Sequence, residues 1–140
     1  MDAKRFVIGT LAGGIAVLAT GYLIFAMPPF REFYADAMTS GSATGVQRDS
    51  PLLWAVALGA LSYSALVTLA IGTRAGAVNI GAGIRIGALA GFLLWLTADL
   101  MFYGISNVGN LTSAVLDPLL ELVPGAIAGG VIAAVVGKVR

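Results

Sequence analysis

The stretch IRIGALAGFLLWLTADLMFYGISNVGNLTSAVLDPLLE, residues 84–121, decides what kind of fold this chain can have. Its first part, Ile84 to Gly104, is apolar except for Arg85 near its start and a few polar positions, of which Asp99 is the one acid. A bilayer core of about 30 Å takes roughly 20 apolar residues as helix, so by length this segment is a membrane span. Its end and the residues beyond it, Thr97 to Glu121, gather Asp99, Asp117, Glu121, Asn107 and Asn110 in a chain that is 59% hydrophobic and 11% charged. Ionisable groups in or near hydrocarbon are costly, which makes an acid there a functional-site hypothesis.

Three further spans flank this stretch. Residues 6–27 carry no charge and stop at Pro28-Pro29, which cannot continue an i→i−4 ladder. Residues 51–73 form the second span, with Ser50 placed as N-cap and Pro51 at the first helical position. The third span is 84–104. The fourth, 115–137, is unbroken only from Leu122 to Val136, and Asp117-Pro118 or Thr112 marks its start. The first apolar run has no convincing cleavage site and reads as a retained span. Short connections favour antiparallel neighbours. The expected fold is an all-α integral membrane up-down-up-down four-helix bundle, one domain over residues 1–140.

Charge distribution predicts the orientation. With the N-terminus inside, Lys4, Arg5, Arg74, Arg85, Lys138 and Arg140 are cytoplasmic, and only Arg31 and Arg48 lie outside. This obeys the positive-inside rule for short loops and predicts an N-in/C-in multi-pass protein of a bacterial inner (cytoplasmic) membrane. The outer link, 28–50, spaces Phe30, Phe33, Tyr34, Ala37 and Met38 as one apolar face, opposite Arg31, Glu32 and Asp36. That pattern predicts a short amphipathic helix lying in the interface or over the mouth of the bundle.

Small residues recur four apart at Gly9/Gly13, Gly87/Gly91 and Gly125/Gly129, with Ala55/Gly59 as a weaker counterpart. Such faces let helix backbones approach closely in lipid, where packing replaces water exclusion as the driving force. They predict packing within the chain and leave room for a homo-oligomer or a larger membrane complex. GTLAGGIAV (9–17) faintly echoes GAIAGGVIA (125–133), and the two runs would be antiparallel in the bilayer, as in an inverted-repeat transporter.

Composition excludes much chemistry. Without Cys there are no disulfides, thiol nucleophiles, iron–sulfur clusters or thiolate metal sites; without His, the usual ligand of haem, zinc and copper is missing. No cofactor or catalytic residue is therefore expected, and no basic block points to nucleic acid. The acids are what remains. Asp99 lies about 7 Å below the helix end at Gly104, with Tyr103 and Trp95 one turn to either side. Asp117 and Glu121 share a face of the fourth helix at its N-terminal end, where the dipole favours negative charge, so Asp117 reads as a cap or flank of the helix start. Asn107 and Asn110 flank Gly109 in a turn. Antiparallel third and fourth spans would bring Asp99 level with Asp117 or Glu121. Close carboxylates cannot both ionise cheaply, so they would share a proton or a cation. Ser62, Tyr63 and Ser64 could add polar lining at mid-depth.

The run from Gly87 to Gly130, with Asp99, Tyr103-Gly104, Asn107, Asn110-Leu111-Thr112 and Asp117 as its distinctive positions, resembles small bacterial four-helix membrane proteins of the DUF1761-like and DUF2177-like type. These families imply the architecture but assign no residue roles. Small multidrug exporters fit less well, because they use a Glu in the first span, where this chain has no acid. The expected function is a non-enzymatic membrane bundle, accessory or ligand-binding, with an acidic pocket at its outer face formed from Asp99, Tyr103, Asn107, Asn110, Asp117 and Glu121. The alternative is a dimeric transporter of a proton, cation or small solute that uses Asp99.

Overall fold

The structure is a computed structural model that describes residues 1–25, 27–28, 32, 52–73, 78–106 and 109–139. Among the described residues the secondary structure is entirely helical: α1 (Ala3–Phe25), α2 (Leu53–Gly72), α3 (Ile80–Ile105) and α4 (Leu111–Val136). Each is long and apolar enough to cross a bilayer, the architecture of a multi-pass membrane protein. The amphipathic segment Phe30–Met38 lies outside the described residues apart from Glu32.

Three of the four helices begin where a side-chain hydrogen bond to the backbone, rather than hydropathy, starts them. Asp2 accepts from the Arg5 amide at 2.8 Å, so α1 begins three residues before the apolar run. Asn79 accepts from the Ala82 amide at 2.8 Å and starts α3 at Ile80 instead of Ile84. In α2 the expected start is displaced: the N-cap is Leu52, with no side-chain cap, and the helix begins at Leu53, past Pro51. Ser50 and Pro51 are outside the described residues. The fourth helix begins at Leu111, four residues before the expected 115. Asn110 caps it in a reciprocal box, its side chain accepting from the Ser113 amide at 2.8 Å while Ser113 Oγ accepts from the Asn110 amide at 3.0 Å.

Both termini and the α2–α3 connection share one end of the bundle. The Arg5 guanidinium donates to the Val139 carbonyl at 2.9 and 3.0 Å, and Met1 lies against Gly72. The α3–α4 turn lies at the opposite end. Helix α4 is central, packing along α3 and against α1, which in turn packs on α2; α2 meets α3 and α4 more sparsely.

Glycine permits these approaches. A Cβ on Gly83 or Gly87 would run into the backbone of Gly129 or Gly125, and one on Gly91 would lie 2.7 Å from the Glu121 carbonyl oxygen. The α3–α4 interface is thus backbone on backbone. On α1, Gly9 lies beneath Thr68 of α2 and Val136 of α4, while Gly13 lies beneath Ser64 and Ile132. Ser64 Oγ donates to the Thr10 carbonyl at 2.8 Å, tying α2 to α1. Gly59 differs from these: nothing lies within 4 Å of a Cβ there, so Ala55/Gly59 is not a packing seam within the described chain.

The apolar core is Val67, Ile71, Ile132 and Val136, with Tyr63, Ala82, Ile86 and Ala90 packed around it. It lies in the half nearest the termini. Toward the α3–α4 turn, α1 buries nothing beyond Gly14, α2 nothing before Ala60 and α3 nothing after Gly91, whereas α4 is buried from Ser113 onward. The bundle is therefore more deeply buried at the terminal end than toward the turn.

Candidate functional site

The glycine register of α3 and α4 positions the acids. Gly83 meets Gly129, Gly87 meets Gly125 and Gly91 meets Glu121, so each turn along α3 matches one turn back along α4. Extending that register toward the turn sets Trp95 level with Asp117 and Asp99 level with Ser113. Helical side chains lean toward their own N-terminus. Asp99 therefore leans away from the turn and Asp117 leans toward it, which closes the one-turn offset. The two carboxyl groups are close electrostatic neighbours. Close carboxylates cannot both ionise cheaply.

Glu121 leans the same way as Asp117 from one turn deeper, and Asp117 and Asp99 are its acidic neighbours. The fourth member is Tyr63. Its hydroxyl crosses from α2 to donate to the Gly87 carbonyl at 3.1 Å. It fills the space that the glycines leave open, 2.9 Å from where a Cβ on Gly91 would stand and 2.8 Å from one on Gly125. It is also electrostatically coupled to Glu121.

Burial separates this group from an ordinary helix-end cluster. Asp117 is 3% exposed and Glu121 8%. Asp99 is half-buried, and its Oδ2 is shut away from solvent without a hydrogen-bond partner. Because Asn110 caps α4, Asp117 does not cap or flank its start; it sits in the second turn, on the inward face. Asp99 and Asp117 are each about 9 Å from the turn end of their helices, and Glu121 is about 15 Å in.

Other expected members fall elsewhere. Tyr103 is 45% exposed and Trp95 39%, so the aromatic neighbours of Asp99 face outward. Asn110 is committed to its capping box, and Asn107 lies outside the described residues. Ser62 is exposed, and Ser64 is spent on the α1–α2 contact. Tyr63 enters the group from mid-depth; its signal in the sequence was a phenol flanked by two serines in an otherwise apolar span.

The described cations sit away from these acids. Lys4, Arg5 and Lys138 lie at the terminal end, and Arg85 is about 21 Å from Asp99 along α3. Among the described residues no group of three acids is placed to hold one metal ion. The group can hold and pass a proton, or accept a positively charged group that brings hydrogen-bond donors. Comparisons with family models, curated proteins and solved structures return no match for this chain.

Proposed function

We propose that this chain is a small non-enzymatic membrane bundle whose working element is a ligand-binding pocket formed by Asp99, Asp117, Glu121 and Tyr63. The observation that carries this reading is the convergence of three carboxyl groups and a phenol inside a membrane bundle, with Asp117 and Glu121 buried. Such groups are expensive in hydrocarbon. In the N-in/C-in orientation favoured by the cationic residues, the pocket lies in the outer half of a bacterial inner membrane. The turn end then faces the periplasmic side. An accessory role within a larger membrane complex is compatible with the same pocket.

Native mass spectrometry of the full chain, released from mild detergent, tests the reading. The wild-type protein is expected to carry a bound non-protein mass that Asp99→Asn and Glu121→Gln lose. An identical adduct spectrum for all three proteins would refute it.

One observation favours a second reading, a dimeric carrier of a proton, cation or small solute. Toward the turn, α1 buries no described residue beyond Gly14, α2 none before Ala60 and α3 none after Gly91, so a second copy could enclose a path there. This reading predicts that Asp99→Asn abolishes flux in proteoliposomes while the bundle stays folded; undiminished flux would exclude it.

A further inference from the structure

At the opposite end of the bundle from the acids, Arg85 stands within a membrane span and on the side of it that no other helix covers. It lies about 8 Å past the start of α3 at Ile80. Gly83 and Gly87, two residues to either side, both face α4, so Arg85 points away from that helix, and it is exposed. Its Nε donates to the Gly81 carbonyl at 3.3 Å, which bends the side chain back toward the terminal end. A long cationic side chain in a span keeps its head at the polar boundary in this way, with its stem on apolar surface.

The guanidinium meets no acid among the described residues. Asp99 is about 21 Å away along α3. Asp117 and Glu121 lie in the turn-end half of α4, α2 carries no acid, and Asp2 is engaged by the amide and guanidinium of Arg5. The bond to Gly81 uses Nε alone, so both terminal nitrogens of the fork remain open among the described residues. Charge of the same sign surrounds it. Gly137 lies against Val78, just ahead of α3, which sets the exposed Lys138 at this end, and Lys4 and Arg5 are there too.

An apolar track leads inward from this head. Leu89 and Leu93 follow Arg85 at successive turns on the same side of α3, 58% and 56% exposed. That side thus presents an unpaired guanidinium and then a column of bare aliphatic side chains. The occupant complementary to both is an amphiphile with a negative head. A planar guanidinium fork pairs bidentately with a phosphate group, and a hydrocarbon tail lies along the leucines. A soluble anion would leave the column unused, and an uncharged lipid would leave the fork unused. We infer that this side of α3 binds an anionic phospholipid of the adjoining leaflet, its phosphate on Arg85 and an acyl chain along Leu89 and Leu93. The site is separate from the acidic pocket, and the inference is independent of that pocket's ligand and of which side the termini occupy.

The test follows Tm of the full chain in mild uncharged detergent during titration with short-chain phosphatidylglycerol, short-chain phosphatidylcholine or glycerol phosphate. Phosphatidylglycerol is expected to raise Tm saturably at about one-fifth of the phosphatidylcholine concentration, the preference of one cation for an anionic lipid head. Glycerol phosphate, a head without a tail, is expected to shift nothing. Arg85→Gln is expected to bring phosphatidylglycerol to the phosphatidylcholine level. Should that variant fail to fold, high salt on the wild type reads the same contact, and the preference should fall. Equal action of the two lipids on the wild type, or a preference that survives Arg85→Gln or high salt, would overturn the inference. A shift by glycerol phosphate equal to that by phosphatidylglycerol would overturn the lipid and assign a free phosphate in its place.

Discussion

Gly87→Ala is the most informative single perturbation of this fold. The new Cβ would press on the Gly125 carbonyl oxygen and lie 2.9 Å from both Cα and N of Gly129. All three neighbours are backbone, so no rotamer can yield and the helices themselves must separate. Restoring the Gly129 contacts to an ordinary 3.4 Å takes about half an ångström, and the Gly125 contact demands more, so the interface opens by about 1 Å. A gap of that size forfeits a quarter to a half of each dispersion well. The contacts at Gly83, Gly87 and Gly91 hold on the order of 40 atom pairs at roughly 0.15 kcal/mol each. The expected loss is about 2 kcal/mol, in line with the usual cost of overpacking. Gly59→Ala is the control, because nothing lies within 4 Å of its Cβ. There the helix propensity of alanine should leave stability unchanged or raised by up to about 1 kcal/mol. Reversible unfolding in mixed micelles of increasing sodium dodecyl sulfate measures both. If Gly87→Ala proves as stable as the wild type, or Gly59→Ala as damaging as Gly87→Ala, the backbone-on-backbone account of α3 and α4 is wrong.

Three further outcomes follow from single contacts. Tyr63→Phe removes the hydroxyl that bonds Gly87 and should cost about 0.6 kcal/mol, typical of a side-chain hydrogen bond between membrane helices, in the same unfolding assay; no measurable loss would mean that the hydroxyl contributes nothing across that interface. Asn110→Ala removes half of the capping box and should cost about 1 kcal/mol, seen locally as faster hydrogen exchange of the amides of residues 111–114; unchanged protection there would contradict the cap. The Arg5 amide bond to Asp2 holds that exposed carboxyl below its ordinary value. Its stabilisation is therefore present above the unfolded carboxyl pKa of about 4 and disappears as pH falls through the lower folded value. The Tm difference between wild type and Asp2→Ala should accordingly be present at neutral pH and vanish in strong acid, and a difference that persists there would count against the contact.

The four spans were legible in the chain because hydropathy over about 20 residues is a one-dimensional property, averaged over a window that no partner helix can alter. Helix ends were less legible. The starts of α3 and α4 depend on single side chains, Asn79 and Asn110, meeting amides three residues on, and that signal is easily outweighed by a neighbouring apolar run. The early start of α4 had the largest consequence. It moved Asp117 from the helix end to a buried second turn, and so removed the simplest explanation of its charge.

Composition and pattern alone determined the class of object: helices long and apolar enough to cross a bilayer, no thiol or imidazole chemistry, and acids concentrated around the third and fourth spans. Spacing also identified Gly87/Gly91 and Gly125/Gly129 as places where backbones could touch, but not which glycine meets which. Only the tertiary structure decided that register, and with it the union of Asp99 with Asp117, the burial of Glu121, the arrival of Tyr63 from α2 and the outward turn of Tyr103. The physical reason is that each of these depends on which faces of two helices meet and at what height. Close backbone packing sets that height to within one residue, whereas hydropathy along either helix leaves it open.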